Sequence, residues 1–410
     1  MKVGDDPSRS PTGLNAVVFS GGGALGAYEV GILKALTHGL SPATNYRPLE
    51  PDIYSGTSVG AYNATFMAAE GTLPGPQAVA RLEKVWLKEI ALHPGRSNNG
   101  VYRYRLNPFQ LLNPIQIARQ PLQLTREAFQ DFFYLSPRIL RRLTSLIDDR
   151  GYDPLSRFVA LIDISLFIST EPLRRTLHRT IDFNKVRESP KKLIVAATKW
   201  RFGQVLLADN SDFNDRLGPK IVRGSASIPG IFPPAGTGND ELVDGGVLMN
   251  LPLGPAIKAG AQNIFILDLF PKSENLMLAK VPSTVGTILR SQTINWDQQL
   301  RQYGRDVRAY NLYLDILDYL HALKNEPGWK GQRFAGIRPR IQELEERLRA
   351  DLKGRPGRSL TIHRFRPQHP LLNRPLGMLN FNVNAIRKHI HRGFKDAKRH
   401  DCKESGCVTL

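Results

Sequence analysis

Residues 16–36 read AVVFSGGGALGAYEVGILKAL and residues 53–70 read IYSGTSVGAYNATFMAAE. Each stretch opens on a short apolar run, Ala16-Val17-Val18-Phe19 in the first and Ile53-Tyr54 in the second, and then passes through glycines. In the first, apolar residues continue at helical spacing through Leu25, Tyr28, Ile32 and Leu36; in the second an Ala-rich segment runs to about Glu70. Strand, glycine turn and helix is the reading this order supports. Two such units in succession predict an α/β fold with a parallel, doubly wound sheet.

Outward from these units, further strands are expected at Leu193 to Ala197, Val205 to Ala208, Ile264 to Leu269 and Leu360 to Phe365. Residues 101–150 contain eight arginines and no strand alternation, so they read as a helical insertion or cap, and a long helical arm is expected around 277–323. The division this suggests is a flexible start at 1–13, a catalytic domain at 14–275, a basic helical region at 276–400 packed on or near it, and a flexible tail at 401–410.

The 410 residues are 41% hydrophobic and 23% charged, which excludes a mainly disordered, collagenous or membrane-embedded chain. The net charge is +19, and residues 301–410 alone hold 23 Lys+Arg against 11 Asp+Glu. That asymmetry suits an anionic partner such as a membrane surface. The aromatic and basic interleaving of single-strand binders is sparse, so nucleic acid ranks below membrane. Cys402 and Cys407 are the only cysteines, so no disulfide staples the body. No run of about 18 apolar residues occurs, and the first residues lack an apolar signal core, so a cytoplasmic protein with peripheral membrane attachment is the expectation.

Gly56-Thr57-Ser58-Val59-Gly60 fits G-x-S-x-G between a strand and a helix, the setting of a nucleophile elbow. A serine on so sharp a turn needs small neighbours, which Gly56 and Gly60 supply. The plainer reading is a serine capping a helix. Gly21, Gly22, Gly23 and Gly26 match the dinucleotide pattern G-x-G-x-x-G, but Glu50 and Asp52 precede the second strand, where that pattern requires an acid after it. The same loop at a helix start can instead aim backbone amides at a developing oxyanion. For a base, the chain offers Asp244 in Val243-Asp244-Gly245-Gly246, on a tight turn.

Taken in order, FSGGGALGAYEVGILKAL, GTSVGAYNA, SASIPGIFPP and VDGGVLMNLPL make the region from residue 16 to about 270 resemble the patatin-like phospholipase family. The resemblance implies a three-layer α/β/α sandwich and lipid acyl hydrolase activity. It also implies a dyad of Ser58 as nucleophile and Asp244 as general base, with an oxyanion hole at Gly21, Gly22 and Gly23. One departure is Leu25, where the family often has Arg or Lys.

Six histidines follow Asp244, in the order a Ser-Asp-His triad requires: His321, His363, His369, His389, His391 and His400. They lie in helical or basic surroundings and read as solvated or structural. No cluster with metal-ligand spacing is recognised, so no metal and no cofactor are expected. The proline-stiffened loop 225–234 reads as a wall of an acyl pocket or a buried connection. From Val383 the positions Ile386, Ile390, Phe394 and Ala397 make an apolar stripe on a basic helix, suited either to a membrane surface or to docking on the body. Cys407-Val408-Thr409-Leu410 fits C-a-a-X, which is prenylated only in eukaryotic cytosol.

The function expected is a serine lipid acyl hydrolase of phospholipase A or lysophospholipase type, acting on phospholipid or lysophospholipid. The rivals are an acyltransferase on the same dyad and a non-catalytic basic membrane-binding protein.

Overall fold

The structure, a computed structural model, describes residues 13–96, 98–105, 121–148, 164–236, 240–271, 284–326, 329–351, 359–371 and 375–408. The expected flexible start lies outside these residues apart from Gly13, as do parts of the expected insertion and arm. In chain order the first elements are β1 (Leu14–Phe19), α1 (Gly26–Thr37), β2 (Ile53–Thr57), α2 (Val59–Ala69), α3 (Gly75–Val85) and β3 (Arg103–Tyr104). Then come α4 (Pro121–Asp148), β4 (Ile168–Ser169), α5 (Glu171–Thr180), α6 (Phe183–Arg187), β5 (Lys192–Lys199), β6 (Gln204–Asp209), α7 (Gly218–Ser225), β7 (Ala235–Gly236) and β8 (Glu241–Asp244). The last are α8 (Leu253–Lys258), β9 (Ala261–Leu267), α9 (Thr284–Lys324), α10 (Gln332–Ala335), α11 (Arg338–Asp351), β10 (Thr361–Phe365), α12 (Val383–Lys398) and α13 (Cys402–Ser405).

The main sheet runs β10-β9-β1-β2-β5-β8-β7, with β6 also on β5. The strands from β10 to β5 are parallel, while β6, β7 and β8 pair antiparallel. Parallel strands covered on both faces need apolar residues at every position, and Ala16, Val17, Val18 and Phe19 are all fully buried. Their alternation sorts them. Val17 and Phe19 join the core under α1, α2, α3 and α12, whereas Ala16 and Val18 join the opposite core under α8 and α9. The result is a mostly parallel sheet between two helical layers, the three-layer α/β/α sandwich expected, and the predicted strands match β5, β6, β9 and β10.

The stripe on α12 is covered by protein. Val383, Ile386, Ile390, Gly393 and Ala397 are buried, chiefly against α1, while Arg387, Lys388, Lys395 and Lys398 remain exposed. Two glycines set the closeness: a Cβ on Gly31 would lie 2.0 Å from the Ile390 carbonyl oxygen, and one on Gly393 would lie 2.0 Å from that of Tyr28. Tyr28 also donates its hydroxyl to Asp396 Oδ2 at 2.9 Å. Of the two roles open to this stripe, docking on the body is the one realised, so its apolar side does not face a bilayer. Residues 401–408, read as a flexible tail, also fold, with Val408 pairing with Ile362.

Gly393→Ala is therefore expected to destabilise by roughly 1–3 kcal/mol, because neighbouring backbone must move to admit the methyl. Gly254→Ala, on a helix with open space around it, should be neutral or slightly stabilising. Urea denaturation of the two variants checks the contrast.

Candidate active site

Ser58 sits between β2 and α2 with φ 58° and ψ −124°, a conformation that costs a non-glycine residue free energy and that the flanking packing must enforce. A Cβ on Gly56 would lie 2.2 Å from the Gly60 carbonyl oxygen, and one on Gly60 would lie 2.7 Å from both Phe19 Cβ and the Phe19 carbonyl. Both positions thus require glycine for close approach, as the motif implied. The Ser58 amide donates to Ser225 Oγ at 2.8 Å, and that hydroxyl donates to the Ala196 carbonyl at 2.6 Å. Ser225 opens the proline-stiffened loop, and its anchoring of the turn is a tertiary contact that the local sequence does not announce.

Asp244 ends β8, which pairs antiparallel with β5, and β5 lies beside β2. The following turn is tied to β2 by Thr57 donating to the Met249 carbonyl at 2.8 Å and by Ser55 donating to that of Pro252 at 3.1 Å. Asp244 is buried, with the Ser58 side chain near enough to favour its charged form. Its Oδ1 accepts the Gly246 amide at 2.7 Å. Burial pushes this carboxyl up to about 7, with the Ser58 side chain and the Gly246 amide opposing the rise. Gly245 is confined by the Ala196 carbonyl, 2.3 Å from where a Cβ would stand.

The glycine loop closes the site from the β1 side. A Cβ on Gly21 would lie 3.0 Å from Ser58 Cβ, so the loop backbone touches the serine. The Gly21 amide, however, is spent on Asn250, at 3.1 Å from its Oδ1. The amides of Gly22, Gly23 and Val59 have no hydrogen-bond acceptor among the described residues. Of the three glycines expected to donate, Gly21 therefore serves close approach. Gly26 packs against Val59, 2.5 Å from where a Cβ would stand, and Leu25 is buried in the core.

Behind the loop lies a buried polar network that the motifs contained without revealing it. Glu29 is fully buried and accepts the Ser20 amide at 2.8 Å and Asn63 Nδ2 at 2.8 Å, while Trp86 Nε1 donates to Asn63 Oδ1 at 2.9 Å. Desolvation holds the Glu29 carboxyl well above the usual carboxylate range. The residue just before Gly21 is thereby pinned to α1 and α2.

An apolar pocket of about 520 Å³, counting its open mouth, has Ser58 in its lining. Tyr62, Trp86, Leu173 and Val222 line it with Ala226, Ile228 and Phe232 of the proline-stiffened loop, and Leu379 and Phe381 complete it. No described histidine lines it. Its apolar lining suits an acyl chain or similar apolar group.

The patatin-like phospholipase model matches residues 17–257, more than half of the chain. The class this defines is lipid acyl hydrolase in general. The chain belongs to the patatin-like phospholipase family. In structure it is similar to VipD from Legionella pneumophila, at 13% identity and a TM-score of 0.37, over 95% of this chain and 67% of VipD. No curated protein sequence matches it.

A carboxyl whose folded-state value is raised favours folding below its unfolded value and loses that advantage as pH rises through the folded one. Asp244 thus makes the protein progressively less stable between about pH 4 and pH 7, at about 1.4 kcal/mol per pH unit. Asp244→Asn removes this slope. Its stability relative to wild type is expected to climb across that window and then level off, as measured by Tm at pH 4.5, 6 and 8.

Proposed function

We propose that the chain is a serine acyl hydrolase that cleaves phospholipid or lysophospholipid esters through an acyl-enzyme on Ser58. The observation that carries this is the Ser58 side chain beside a buried carboxyl at the wall of an apolar pocket. Asp244 takes the hydroxyl proton as Ser58 Oγ attacks the ester carbonyl. The oxyanion forms beside the free amides of Gly22, Gly23 and Val59, and the departing lipid alcohol receives the proton from Asp244. Water then attacks the acyl carbonyl and gives a proton to the same carboxylate, which returns it to Ser58 Oγ as the bond to the serine breaks and the fatty acid leaves. A carboxyl titrating near 7 can both accept and return a proton at neutral pH, which suits it to both half-reactions.

A fluorophosphonate probe is expected to label wild-type protein and not Ser58→Ala; wild-type protein that stays unlabelled in the presence of lipid sinks the proposal. Because the base must be ionised, kcat/KM should fall on the acid side with an apparent pKa near 7. A rate independent of pH from 5 to 9 would remove Asp244 from that role.

The same reading includes a lipid surface as the place of action, supported by α4. This helix turns its acidic residues Glu127 and Asp131 inward. Asp131 receives two hydrogen bonds from Arg103, at 2.8 and 2.7 Å, and lies 3.5 Å from Arg105 Nε, while Glu127 is buried beside them. Leu122, Phe129, Phe132, Phe133, Ile139 and Leu140 are exposed instead. An exposed apolar stripe of this kind calls for an apolar partner, and the chain's strong positive charge favours anionic lipid. The anchor lies near the pocket in sequence, since Val101 lines the pocket two residues before Arg103. Phe129→Asp combined with Phe133→Asp is expected to lower the ratio of phosphatidylglycerol-vesicle hydrolysis to short-chain ester hydrolysis by tenfold or more. An unchanged ratio removes α4 from the membrane.

A further inference from the structure

At the far edge of the sheet, four metal-binding side chains converge that the catalytic reading does not use. His363 lies on β10, and His400, Cys402 and Cys407 follow α12 within eight residues of chain. One donor atom from each lies within 4.8 Å of all the others. Cys402 Sγ is 3.5 Å from His363 Nδ1 and 3.4 Å from His400 Nε2, and Cys407 Sγ is 3.3 Å from the same His400 nitrogen. Tetrahedral zinc with bonds of about 2.3 Å to sulfur and 2.0–2.1 Å to nitrogen sets S···N separations of about 3.5 Å. These three S···N distances match that spacing.

The local fold holds it there. Asp401 caps the short α13 by accepting the Lys403 amide at 2.7 Å, and Gly406, at φ 76°, turns the chain back so that the Cys407 amide donates to the Cys402 carbonyl at 3.0 Å. Val408 then exchanges two backbone hydrogen bonds with Ile362, at 2.7 and 2.9 Å, which places Cys407 beside β10. The Arg364 amide donates to Cys407 Sγ at 3.3 Å, the kind of outer contact that steadies a metal-bound thiolate. Both rings are fixed by neighbours, His363 stacked on Phe265 at 5.1 Å between centroids and His400 against Phe365 at 4.2 Å.

We propose that His363, His400, Cys402 and Cys407 bind one zinc ion, clasping the C-terminal segment to the edge strand β10. Two thiolates and two imidazoles are the donor set of a closed structural zinc site, with no open position for substrate. Binding exchanges two thiol protons for Zn2+ and leaves a neutral centre with both imidazoles uncharged. The clasp secures an edge that is otherwise open to pairing with another chain. It also occupies the thiol of the C-a-a-X pattern, so Cys407 cannot be both a ligand and a prenylation site. The inference stands apart from the roles of Ser58 and Asp244.

The test uses the full chain purified under reducing conditions without chelator. Elemental analysis is expected to give one zinc per chain, lost in Cys402→Ala with Cys407→Ala. Cobalt loading of stripped wild-type protein should give the visible bands of a tetrahedral sulfur-containing site. N-ethylmaleimide should leave both cysteines unmodified until a strong chelator is added, and the chelator should lower Tm by several degrees in wild type and not in the double variant. His363→Asn, which keeps both thiols, separates metal loss from cysteine loss and should bind cobalt at least tenfold more weakly. Wild-type protein that holds no stoichiometric zinc after supplementation, cysteines that react at once, or a Cys402–Cys407 disulfide in reduced preparations would each overturn the proposal.

Discussion

Phe19 of β1 faces Gly56 of β2 in the parallel register, and the rest of the site depends on that pairing. Parallel neighbours end at the same edge of a sheet, so the glycine loop after β1 and the serine turn after β2 emerge side by side. Their separation is then fixed by absent side chains: Gly60 lies against Phe19, Gly21 against Ser58, and Gly26 against Val59. A single methyl at Gly60 would push the serine turn off the backbone that supports it. The next strand outward, β5, carries the antiparallel β8 and so brings Asp244 to the same edge. Three separate stretches of sequence meet there because of strand order.

The cost of this arrangement is concentrated in few residues. Ser58 holds a positive φ, Asp244 keeps a carboxyl away from water, and Glu29 is a fully buried acid. Each opposes folding, and each is held by backbone or side-chain hydrogen bonds to elements that the apolar cores stabilise independently. Glu29 illustrates the logic. Its burial disfavours ionisation, yet its two oxygens fix Ser20 and Asn63 and hence the approach of the glycine loop.

What was legible in the sequence is what is local. Short apolar runs marked the strands, with glycines following those of β1 and β2, and the motifs around Ser58 and Asp244 marked residues that meet. Periodicity alone could not say what covers an apolar stripe: the helix from Val383 has a stripe that α1 covers, with Gly31 and Gly393 as the only written hint. Residues 121–148 carry a stripe of similar kind, but their inward contacts are the ion pairs of Arg103 and Arg105, which lie outside the helix itself. The His/Cys cluster was missed for the same reason. Cys402 and Cys407 with His400 form a local signal, but His363 is supplied by a strand 37 residues earlier in the chain. Asn250, which takes the Gly21 amide, is likewise a tertiary partner that no glycine pattern records.

The family match ends at residue 257, yet the site does not. Leu269, just after β9, packs on Gly22, and the Met378 carbonyl lies where a Cβ on Gly23 would stand, 2.3 Å from it. Leu379 and Phe381 line the pocket, and the Tyr102 hydroxyl donates to the Leu379 carbonyl at 3.0 Å. Arg364 of β10 pairs with Asp268 beside Leu269, so the edge strand is coupled to the same loop. Trp296 of α9 donates its indole N–H to the Gly246 carbonyl at 2.6 Å, bracing the turn after Asp244. The last third of the chain therefore helps to shape both sides of the serine, and α12 and β10 hold that third against the sheet. A catalytic unit cut at the end of the matched region would keep Ser58, Asp244 and all three glycines, but would lose the contacts that confine Gly22 and Gly23 and one wall of the pocket.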